Sequence, residues 1–161
     1  EPQENGNFGV GRQRSAQLVV RMAGSYQVNY CPSHSTVLLV EDLHRSRFRT
    51  LPRFWFRDHG YCVLEATNGL EALHQARTHQ GPIDLLITEI DLPLMDGGEL
   101  AAHVRKLCPQ VKVMFVTPET DPIPASSSSV AYIHKPFDTR TLLKKVQSLM
   151  SKGVERMHAI A

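Results

Sequence analysis

At 161 residues the chain has room for one ordinary domain and a tail. Its 42% hydrophobic and 21% charged residues are those of a soluble globular protein, and a formal charge of +2 gives no electrostatic footprint for nucleic acid. No run approaches the roughly 20 apolar residues that a membrane-crossing helix requires, and no basic start with an apolar run marks a signal peptide, so a cytoplasmic protein is expected.

Residues 1–35 read as a linker or the tail of an upstream domain: a polar start, a short amphipathic run from Gln13 to Ala23, then Ser33-His34-Ser35. With no initiator Met, a piece of a longer protein is expected. From Thr36 the pattern changes to apolar runs alternating with helical stretches, the signature of βα units around a parallel sheet. Strands are predicted at 37–40, 61–66, 85–88, 111–116 and 131–134, and helices at 44–58, 69–79, 97–107 and 139–150. Pro52 should kink or restart the first helix. Between the last two strands, Pro118, Pro122 and Pro124 with Ser126 to Ser129 oppose a regular helix, through lost N–H donors and poor propensity. The expected fold is therefore α/β, a doubly wound five-stranded parallel sheet of order 2-1-3-4-5, with the fourth helix short or missing. The domain should span 36–150, leaving 151–161 as a tail too short for a DNA-binding domain.

Cys31, Cys62 and Cys108 are odd in number and far apart, with no zinc-type spacing among them or the eight His, so reduced structural thiols are expected. The chemistry gathers elsewhere. Glu41-Asp42 follow the first strand and Glu89 ends the third, in Asp84-Leu-Leu-Ile-Thr-Glu89-Ile-Asp91-Leu-Pro93-Leu-Met-Asp96-Gly97. In an open doubly wound sheet ligands bind beyond the carboxyl ends of the strands, where strand order reverses, so these acids should share one pocket. Such hard oxygens suit Mg²⁺, and their repulsion is costly unless a cation or an ammonium neutralises it. Lys135 supplies an ammonium after the fifth strand, and Thr117 closes the fourth.

Five signatures occur in the order found in the receiver domains of two-component response regulators: Glu41-Asp42, the helix start Asn68-Gly69-Leu-Glu-Ala72-Leu, the Asp84 to Gly97 loop, Thr117, and Lys135-Pro136-Phe137. Residues 36–150 resemble that family. The resemblance implies that Glu41 and Asp42, with residue 89, hold Mg²⁺, that Lys135 contacts the phosphoryl group, and that Thr117 and Tyr132 couple phosphorylation to an output surface. Glu89 stands where the family places its acceptor aspartate.

Three departures set this chain apart. Glu89 carries its carboxylate roughly 1.5 Å farther into the pocket than Asp would. In-line phosphoryl transfer depends on placement at about the 1 Å level. The same reach brings the charge towards Lys135, a partial imitation of a phosphoryl group, which has up to two charges and three acceptor oxygens. Pro118, with no N–H, follows Thr117 where related receivers offer a phosphoryl-binding amide. The eroded fourth helix belongs to the family's switching face.

Plainer readings stand beside these. Glu41-Asp42 also fits a solvated strand-to-helix turn, Asp91 and Asp96 fit turn formers, Thr117 a strand cap and Tyr132 a half-buried core aromatic. Arg45, Arg47, Arg49, Arg53 and Arg57, interleaved with Phe48, Phe54, Trp55 and Phe56, read as the solvated face of an amphipathic helix or as a docking face for a kinase or phosphotransfer protein. Gly9-Val-Gly11 resembles the last glycine box of histidine-kinase ATP domains, or is a linker.

The expected function is an atypical receiver, a phosphorylation-independent interaction module with no activity of its own and with Mg²⁺ weak or absent. Its partner would be a histidine kinase, a histidine phosphotransfer protein or another signalling domain, and its source a hybrid sensor kinase or an atypical regulator. The alternative is a receiver that accepts phosphate on Glu89 or Asp91. A flavodoxin-like cofactor binder is disfavoured, since nothing Gly-rich follows the first strand.

Overall fold

The computed structural model describes residues 35–42, 44 and 51–151. In chain order these form β1 (Thr36–Val40), α1 (Arg53–Asp58), β2 (Cys62–Ala66), α2 (Gly69–Thr78), β3 (Leu85–Glu89), α3 (Gly97–Leu107), β4 (Lys112–Pro118), β5 (Val130–Lys135) and α4 (Thr139–Ser151). All strand pairs are parallel and the order is β2-β1-β3-β4-β5, as the sequence leads one to expect. The observed strands end within two residues of the expected ones.

The central strands β1, β3 and β4 are buried and mostly apolar along their middles because helices cover both faces. Alternation divides β1: Leu38 and Val40 join one core with Ala72 and Ala76 of α2 and Leu100 and Val104 of α3. Val37 and Leu39 join the other, with Phe56 of α1 and Leu142, Val146 and Leu149 of α4. Each fully buried Leu, Val or Ile contributes about 1.5–3 kcal/mol, so the sheet's edge of carboxyl termini is held by rigid elements.

Local chemistry sets the helix starts. Asn68 accepts the Glu71 N–H at 2.9 Å, and the Glu71 carboxylate reaches back to the Thr67 N–H at 2.7 Å, a reciprocal cap for α2. Asp96 caps α3 by accepting the Glu99 N–H at 2.9 Å. Pro52 is the N-cap residue of α1, and of the helix expected at 44–58 the described residues show Arg53–Asp58. Residues 45–50 lie outside the described residues, with Cys31, the run at 13–23 and the Gly9-Val-Gly11 motif.

No helix bridges β4 and β5. Residues 119–129 turn instead, with Asp121 N–H bonded to Pro118 O at 3.2 Å and the Ser127 hydroxyl accepting the Ser129 and Val130 amides. Lys112 Nζ pins the segment by donating to Ser128 O at 2.9 Å. Pro118 occupies the last position of β4, beyond its last β3 partner, where a missing N–H breaks no bond of that ladder. Without a covering helix, Val130 and Tyr132 remain half-buried on that face.

Candidate functional site

The parallel register brings the ends of four strands to one edge. Val40 lies opposite Thr88, so Glu41 and Asp42 continue alongside Glu89; Glu89 in turn pairs with Val116, and Pro118 with Lys135. Asp84 and Thr36 tie the opposite edge, where Asp84 Oδ2 accepts the Thr36 N–H at 2.7 Å.

Glu89 is the centre of the cluster. Its Oε1 accepts from Lys135 Nζ, and its Oε2 accepts the Asp42 backbone N–H at 3.0 Å. The side chains of Glu89 and Lys135 are 14% and 27% exposed, so this ion pair is screened less than one on an open surface. Asp42 is 2% exposed and its Oδ1 accepts the His44 N–H at 2.9 Å, while Glu41 is 7% exposed. The carboxylate brought in by the longer side chain is thus held from both sides, by an ammonium and by a main-chain donor.

The β3–α3 loop can pass this close because residue 97 has no side chain. A Cβ on Gly97 would stand 2.2 Å from the carbonyl oxygen of Glu89, and the Gly97 N–H is spent on Ile90 O at 2.8 Å. Within the loop Leu94 takes a left-handed backbone, φ 70°, and Asp91 and Asp96 lie at the surface.

Thr117 is buried at the end of β4, and its hydroxyl donates to Asp121 Oδ2 at 3.1 Å. Tyr132 stacks on Phe115, with ring centroids 5.3 Å apart, against the α2/α3 core. Of the residues expected at the site, then, Glu89, Lys135 and Asp42 meet directly, whereas Thr117 engages a loop and Tyr132 a core ring. The role of Asp121 was missed by sequence reasoning; its signal is Asp three residues after Pro118, a spacing that closes a turn.

Arg53 and Arg57 both reach Glu65 of β2, Phe56 is fully buried, and Phe54 stands exposed beneath the Arg53 guanidinium at 4.5 Å. An open, mostly apolar cleft of about 420 Å³ lies beside Lys135, lined also by Pro118, Glu119, Pro136 and Phe137. Cys62 is buried and Cys108 partly so. Among the described residues no helix is long and apolar enough to cross a membrane.

Residues 37–147 match the response regulator receiver domain family. The chain belongs to that family. It is 32% identical over 123 residues to a sensor kinase, CckA of Brucella abortus (strain 2308), covering 73% of this chain and 13% of the kinase. It is also 32% identical over 99 residues to the response regulator receiver protein CpdR of the same organism, covering 56% of this chain and 78% of that protein. Among solved structures, the receiver domain of the hybrid histidine kinase CckA superposes with a TM-score of 0.59 at 34% identity, covering 72% of this chain and 99% of that one. Receiver domains work in two-component signalling with histidine kinases or phosphotransfer proteins, and they bind Mg²⁺ beside the acceptor position.

Whether the receiver metal suits this chain is a question of donors. Both Glu89 oxygens are engaged, one by a cation, and among the described residues no three His, Cys, Asp or Glu side chains are gathered so as to hold a metal ion. In this arrangement Lys135 neutralises Glu89, and the residues that would hold a receiver's Mg²⁺ are Glu41 and Asp42 beside it, both buried.

Proposed function

We propose that this receiver signals by binding a protein partner without itself accepting a phosphoryl group, with Glu89 as a built-in partial substitute for one. The observation that carries this reading is the two-sided capture of the Glu89 carboxylate by Lys135 and by the Asp42 amide. Such a carboxylate is a poor nucleophile towards phosphorus, because the ammonium draws down its charge and its position is displaced by about one bond from that of an aspartate. The ammonium that would neutralise an arriving phosphoryl group is already paired.

Mg²⁺ binding is accordingly weak or absent in the proposed state. The family's habits and the likeness to a sensor kinase support a histidine kinase, a histidine phosphotransfer protein or another signalling domain as partner, in a cytoplasmic pathway of bacterial type, with this receiver as part of a hybrid kinase or an atypical regulator. The apolar cleft beside Lys135 gives such a partner a surface next to the captured charge.

The test is incubation with Mg²⁺ and acetyl phosphate followed by intact-mass measurement. The chain should stay unmodified. A stoichiometric phosphoryl adduct, on Glu89 or on Asp91, would overturn the reading.

A further inference from the structure

We infer that Asp121 is a second internal anion of this site, a positioning residue that holds the Thr117 hydroxyl away from any phosphoryl group and so reinforces the block set by Glu89. The inference rests on the proposed phosphorylation-independent reading and extends it to a residue outside the strand ends. Thr117 is the buried hydroxyl at the mouth of β4, one position past the Glu89–Val116 register pair. Its only proton goes to Asp121 Oδ2 at 3.1 Å.

Asp121 is aimed there by its own loop. Its N–H closes a turn on Pro118 O at 3.2 Å, and the Thr120 hydroxyl lies 3.4 Å from its other oxygen. The turn folds residue 121 back beside the end of β4, within reach of the Thr117 hydroxyl. Glu89 occupies the ammonium and Asp121 the hydroxyl, so the two groups with which the site would greet a phosphoryl dianion are both satisfied by carboxylates of this chain. An arriving dianion would have to displace Asp121 and endure its like charge.

The consequence is that restoring an aspartate is not enough. The Glu89→Asp variant and the Glu89→Asp/Asp121→Ala and Glu89→Asp/Asp121→Asn double variants are incubated with Mg²⁺ and acetyl phosphate, and adduct formation is followed by intact mass. Asp121→Ala should speed acceptance at least tenfold over Glu89→Asp alone, the worth of one competing charged hydrogen bond. Asp121→Asn keeps an oxygen for the hydroxyl but no charge, and should gain less than Asp121→Ala; a loop that merely held the fold together would not order the variants this way. Asp121 is exposed, and thermal unfolding checks that all three variants remain folded. No gain on removing Asp121, whatever level Glu89→Asp reaches, overturns the inference. An adduct on the unmodified chain overturns the proposed function instead, so the two failures are told apart.

Discussion

Replacing Lys135 by Met removes the ammonium while keeping most of the apolar stem, and it isolates the electrostatic contribution of the pair. Exposed ion pairs contribute about 0.2–1 kcal/mol, and breaking a fully buried one costs about 3–5 kcal/mol because a charge is left without compensation. Here the partners are 14% and 27% exposed, between those limits but nearer the buried one, and the buried Asp42 lies beside them. A loss of about 2 kcal/mol is expected, which for a domain of this size lowers Tm by roughly 8 °C. The decisive assay is a double-mutant cycle by urea unfolding with Glu89→Gln, whose amide oxygen still accepts the Asp42 N–H. On the Gln background the cost of Lys135→Met should fall to about 0.5 kcal/mol. An equal cost on both backgrounds would show that the lysine acts through packing of its stem, and the account of a captured carboxylate would be wrong.

Gly97→Ala should be severely destabilising, by about 3 kcal/mol or more, since its methyl would meet the Glu89 carbonyl at 2.2 Å and that backbone has no room to yield. A urea midpoint within about 0.5 kcal/mol of the unmodified chain would refute the close approach. At the opposite edge, burial pushes the His79 imidazole below its ordinary range, against a smaller upward pull from Asp84, with Nε2 lying 3.4 Å from the Thr36 hydroxyl. The unfolded chain therefore binds this proton more readily than the folded one, so stability is full above the unfolded value of about 6.5 and declines as pH falls from there towards the folded one. In Tm measured from pH 7.5 to 5, His79→Gln should flatten that decline; parallel pH profiles would refute it.

The fold was legible because its signals are periodic or chemical. A five-residue strand buried at every position, such as β1, advertises a sheet covered on both sides, and Asn68 and Asp96 announce the helix starts they cap. Three prolines and a serine run foretold the missing helix. The first helix was less legible, since Arg and Phe alternate through Pro52 in a helical pattern, and the chain turns there into a helix of only six residues. At the site, Glu89, Lys135 and Asp42 were readable because side chains at strand ends must converge. The Asp42 contribution was readable only in part: its main-chain amide has no identity in the sequence. Asp121 was hidden for another reason, since a loop bond depends on how the turn closes and not on any repeating spacing.

The amide of Asp42 works as a gauge. Set 3.0 Å from Glu89 Oε2, it rewards a carboxylate that extends this far and leaves a shorter one stranded about a bond length away. Position 89 is thereby matched in length by its surroundings, so a change back to aspartate alters the neighbouring main chain's hydrogen bonding as well as the acid itself. Reverting this receiver to the family's common chemistry is a problem of refitting a small frame around the new side chain.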